Sequence, residues 1–177
     1  MIVDEADLAV RARRAYERGR LGWAVRRALM AVAVTSVALV SCQEPGPPAA
    51  CAAALGLLVT VCLWRGGAWA RGARLGFLAG LAPCLFPVAV RMLHACTDQV
   101  CLGPSTVCLL PSVAAGLLLA WFGLRSHGDR RFWLAAATVM ILTGAIGCLF
   151  AGLAGLAAMS IGLLAGAAAP LLVARAA

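Results

Sequence analysis

Eight cysteines are the main chemical resource of this 177-residue chain. Thiolates form disulfides, reduce oxidants and bind soft metal ions, so their spacing is the first thing to read. Three of them lie close to one of the two histidines, in Arg91-Met-Leu-His94-Ala-Cys96-Thr-Asp98-Gln-Val-Cys101-Leu-Gly-Pro104, with Cys108 just beyond. Cys148 stands apart in the second half. Cys96, Cys101, Cys108, Cys148 and His94 are the candidate redox- or metal-sensing set. Three chemistries stay open. In an oxidising compartment the thiols pair, as Cys96–Cys101 or from this segment to Cys108 or Cys148. Thiolates and the His94 imidazole can instead hold Zn²⁺, Cu⁺ or a heavy metal, although H-x-C-x₄-C is not a strong zinc spacing. Or the cysteines are inert small apolar residues, a reading that suffices for Cys62 and Cys84.

The elements that position these thiols follow from hydropathy. The chain is 63% hydrophobic and 12% charged, with a mean hydropathy of +0.95. A soluble domain carries about 25% charged residues. Apolar runs long enough to cross a bilayer, about 20 residues each, fall at about 21–42, 49–64, 75–90 and 105–124. The uncharged stretch from Phe132 to Ala174 would be ~65 Å long as one helix, so it must fold back near Gly152–Gly155, giving spans at about 132–151 and 155–174. The expectation is an all-α, polytopic transmembrane bundle of six spans, residues 21–177, preceded by a polar arm, residues 1–20. Ala158, Gly162 and Gly166 share one helix face, which predicts close helix packing within the bundle.

All fifteen basic residues are arginine, and fourteen fall in gaps of one parity, Arg91 being the exception. Cytoplasmic loops carry excess Lys/Arg, so both termini are expected inside, in a bacterial inner membrane. Trp23, Trp64, Trp121 and Trp133 mark the same helix ends, with Trp69 in the loop between the second and third spans. On this topology Cys42, Cys51, Cys96, Cys101, Cys108 and Cys148 lie toward the outside, Cys84 near mid-membrane and Cys62 near the inner end. The net charge of +8 is then read as anchorage to anionic lipid, with no direct nucleic-acid partner.

No acid lies inside a span, which disfavours a proton- or ion-coupled transporter. No Ser/His/Asp set, H-E-x-x-H or phosphate-binding glycine loop is present, so an enzyme is not expected. Leu39-Val40-Ser41-Cys42 is similar to a lipobox, but its leader is longer than a signal peptide's.

The arm begins with Asp4, Glu5 and Asp7 and continues with five arginines, an order that suits a helix macrodipole. Val10, Tyr16 and Leu21 are its candidate apolar contacts to a cytoplasmic partner, with Arg14 and Arg18 on the charged rim.

Six short spans, a small cytoplasmic arm, outward cysteines and the ending Gly144-Ala-Ile-Gly147-Cys148 through Gly162 and Gly166 to Pro170 together resemble the small polytopic anti-sigma factors of the NrsF type. The resemblance covers the whole chain and is architectural; this chain has more cysteines and a shorter arm. It implies that the arm holds an extracytoplasmic-function sigma factor at the membrane. It also implies that outward thiols, by position Cys108 and Cys148, sense oxidants or metals and release it. No resident cofactor is expected, beyond a soft metal ion at the outer Cys/His loop. The rival expectations are a soft-metal or thiol-compound transporter that relays through Cys84 and Cys62, and a structural subunit of a membrane complex.

Overall fold

The computed structural model describes residues 5–40, 46–94, 104–125, 129–149 and 152–176. They form six helices: α1 (Glu5–Val40), α2 (Gly46–Arg65), α3 (Gly67–His94), α4 (Pro104–Arg125), α5 (Arg130–Cys148) and α6 (Gly152–Ala176). Among the described residues five segments are long and apolar enough to cross a membrane: Gly46–Arg65, Gly67–Val90, Thr106–Arg125, Arg130–Cys148 and Gly152–Pro170. At 1.5 Å per residue each spans roughly 30 Å, the thickness of the hydrocarbon core. Large apolar side chains cover their outer surfaces. Leu57, Leu78 and Leu164 are 71%, 64% and 72% exposed. A helix apolar on its outer side as well as its inner side needs lipid as its solvent. The chain is a multi-pass membrane protein.

Two boundaries differ from the sequence reading. The arm and the start of the first predicted span are one continuous helix, α1, since nothing between Arg20 and Leu21 breaks it. The stretch 65–74 is not a loop. Gly66 alone separates α2 from α3, and Gly66 and Gly67 take φ values of +72° and +55°, a left-handed reversal open to glycine. Trp69, Arg71 and Arg74 therefore belong to the first two turns of α3. The charges that made this stretch look like a loop lie on the exposed side of a helix end, with Arg71 and Arg74 both exposed.

α3 and α5 form the central pair. They run parallel, with Gly72, Gly76 and Gly80 of α3 facing Phe132, Ala136 and Thr143 of α5 in turn. A Cβ on Gly80 would stand 2.7 Å from Thr143 Cβ, so the contact depends on its absence. α1 and α2 pack on one side of this pair through a core that includes Ala28, Leu55, Val59 and Ile146. α4 and α6 pack on the other through Ala115, Leu119, Met159 and Leu163. α6 lies against α4, where a Cβ on Gly162 would come 2.7 Å from the Leu109 carbonyl oxygen. The expected small-residue packing within the bundle is present. Its partner is α4, however; α5 and α6, consecutive in sequence, touch much less. The buried hydroxyls of Thr35, Ser112 and Thr143 donate to carbonyls one turn back in their own helices, so they need no partner across an interface.

Candidate functional site: a buried thiol pair between two helices

The first turns of α4 and the last residue of α5 meet at the end of the bundle opposite the arginine-bearing helix ends. There the Cys108 and Cys148 thiols are in hydrogen-bonding contact, and neither residue is accessible. Cys84 of α3, also fully buried, lies beside the same end of α5, against Gly147, the residue next to Cys148. All three carry free thiols, as do Cys51 and Cys62.

The positions follow from local sequence. Gly147 lets α5 lie directly on the α3 backbone, where a Cβ would stand 2.6 Å from Cys84 Cα. That contact carries the next residue, Cys148, into the space between α3 and α4. Pro83 and Pro87 complete the environment. Proline has no amide hydrogen, so the Pro83 carbonyl lacks the intrahelical donor that residue 87 would otherwise provide. The Cys148 thiol donates to that carbonyl at a sulfur–oxygen distance of 3.8 Å. α3 nonetheless continues as a helix through both prolines. On α4, the Ser112 hydroxyl donates to the Cys108 carbonyl at 2.6 Å and stiffens the turn that carries the thiol.

Two thiols in contact inside an apolar interface can do one simple reaction, formation of a disulfide between α4 and α5. Between them α4 and α5 share little other packing. Among the described residues no group of three or more His, Cys, Asp and Glu side chains is placed to hold a metal ion.

The other predicted residues separate. Cys96 and Cys101 lie outside the described residues, as does Cys42. His94 is the last residue of α3, and its side chain also lies outside them. Cys62 and Cys84 both sit in the α1–α2–α3–α5 core, near opposite ends of it. Val10, Arg14, Tyr16, Arg18 and Leu21 are all exposed on α1. At 100° per residue, Val10, Arg14, Arg18 and Leu21 share one face, and Tyr16 points away from it. Tyr16 turns toward α2, where it lines a cavity of about 370 Å³ with Arg20, Trp23 and Leu63. Arg20 stacks on its ring and donates to the Trp64 carbonyl at the end of α2. On the exposed side of α1, Arg13 and Glu17 pair at 3.2 Å.

Sequence reasoning missed two features. The Gly72/Gly76/Gly80 repeat has a readable four-residue period, but its first member fell in a presumed loop. The approach of Cys84 to the thiol pair has no signal in spacing at all.

No protein-family model matches this chain, and neither a curated protein nor a solved structure is significantly similar to it.

Proposed function

We propose that this is a thiol-responsive regulator of the bacterial inner membrane, with six spans and both termini cytoplasmic. It acts as an anti-sigma factor whose α1 arm sequesters an extracytoplasmic-function sigma factor. The observation that carries the thiol-responsive part is the contact between Cys108 and Cys148 across two otherwise weakly packed helices. The sigma-factor part rests on the architectural resemblance and on the exposed face of Val10, Arg14, Arg18 and Leu21.

The chemical step is the loss of two protons and two electrons from the pair. The electrons pass to a two-electron oxidant of the peroxide or quinone class, and one S–S bond forms. Because the thiols are buried among apolar side chains, an oxidant that partitions into lipid reaches them best. The bond draws α4, with α6 behind it, against the α3–α5 pair. α1 packs on the far side of that same pair and receives the change. A switch from 1:99 to 99:1 requires about 5.5 kcal/mol, and one disulfide supplies about 2–4 kcal/mol of that.

The test is capture of the partner. The C-terminally tagged protein is solubilised gently without reductant and compared with a variant lacking residues 2–15, which keeps the contact of Arg20 with the end of α2. A sigma factor that is lost from the deletion variant, and from oxidised wild type but not oxidised Cys148→Ser, supports the proposal. A partner held equally by all of these would indicate a structural subunit. No arm-dependent partner would rule out sequestration.

A further inference from the structure

A cleft of about 530 Å³ opens between α1, α2 and α3 at the arginine-rich end, on the other side of the molecule from the thiol pair. Trp23, Arg27 and Arg74 line its polar mouth, and Met30, Val34 and Phe77 are among its apolar walls. The Cζ atoms of Arg27 and Arg74 lie 5.3 and 5.4 Å from the centroid of the same Trp23 ring. Two guanidinium groups from different helices thus converge on one indole. Neither pairs with a carboxylate among the described residues. Each guanidinium lies against the ring without a carboxylate beside it among the described residues, and an anion at the mouth would supply the missing counter-charge.

The cleft also has a direction. From Trp23 to Val34 it follows α1 for eleven residues, or ~16 Å. That is about half the ~30 Å hydrocarbon core, the depth of one leaflet. Its lips face the lipid, with Met30 66% and Leu78 64% exposed. The volume falls in the usual range of ligand pockets, about 300–1,000 Å³. A soluble anion would use the mouth and leave the apolar trough to no purpose. An amphiphile uses both.

We infer that this cleft is a specific site for one anionic phospholipid, its phosphate held between Arg27 and Arg74 and an acyl chain lying along Met30, Val34 and Phe77. The lipid would tie α1 to α3 independently of any thiol chemistry or sigma factor, so the inference stands apart from the proposed function.

Native mass spectrometry of the full-length protein in mild detergent tests it, with titrations of phosphatidylglycerol, phosphatidylcholine and glycerol 3-phosphate. Wild type is expected to take up one phosphatidylglycerol in preference to phosphatidylcholine, and glycerol 3-phosphate is expected not to compete at equal concentration. Each arginine near the surface contributes about 1 kcal/mol toward an anionic lipid, or roughly fivefold. The R27Q/R74Q variant should therefore bind about thirtyfold more weakly. R125Q, which removes an arginine stacked on Trp121 outside the cleft, should match wild type, and R27K/R74K should recover most of the loss. Should R27Q/R74Q not fold, R27Q alone, with its expected fivefold loss, gives the reading. Equal uptake of phosphatidylcholine, equal losses in R27Q and R125Q, or full competition by glycerol 3-phosphate would each overturn the site.

Discussion

Oxidising the Cys108–Cys148 pair would close a loop of about 40 residues that holds the rest of α4 and nearly all of α5. In the chain-entropy treatment a loop of this size is worth about 4 kcal/mol. Helices that stay inserted when the bundle comes apart are already confined, so the gain in a membrane should be about 2–4 kcal/mol. A protein of this size shifts its Tm by roughly 2–4 °C per kcal/mol. Oxidised protein in mild detergent should thus melt roughly 4–16 °C above reduced protein. The pairing is read by blocking free thiols, reducing, and counting the newly exposed ones with a polymer-linked maleimide. Cys108 and Cys148 should both be protected in wild type and in Cys62→Ser, and the remaining one of the two should be free in Cys108→Ser and in Cys148→Ser. Protection of Cys148 that persists in Cys108→Ser would mean that it bonds to another cysteine, Cys84 or one of Cys96 and Cys101. A bond that forms as assigned but leaves Tm unchanged would refute the claim that α4 and α5 are held loosely enough to gain from it.

Three further outcomes follow from the packing. Gly76→Leu, whose Cβ would stand 2.8 Å from Ala136 Cα, should push α3 off α5 and destabilise the bundle by about 1–3 kcal/mol in a detergent melt. Gly22→Ala meets nothing within 4 Å inside α1 and should be neutral or stabilising by up to about 1 kcal/mol in the same melt. Arg20→Ala removes an exposed cap from the end of α2 and should cost only about 0.5–1 kcal/mol, with faster amide exchange near Trp64 and Arg65. If thiols at Cys84 and Cys62 served a metal relay, Cys84→Ser would lower cellular metal accumulation; for a regulator, accumulation should not change.

The apolar runs alone located α2, α4, α5 and α6 closely, because a bilayer forces each uncharged stretch of about twenty residues into a helix that satisfies its own backbone. The grouping of arginine and tryptophan at one end of the bundle was equally legible, since it depends only on helix direction. The start of α3 was misread because Arg71 and Arg74 signal an interface, and an interface holds helix ends as readily as loops. The helix partners were decided by the tertiary structure. In lipid, apolar burial does not drive one helix onto another; close backbone approach does. That approach depends on how Gly72, Gly76, Gly80 and Gly147 are rotated relative to carbonyls on a helix distant in sequence. The same rotation brings Cys148 to Cys108 and to the carbonyl of Pro83, a meeting that spacing along the chain does not encode.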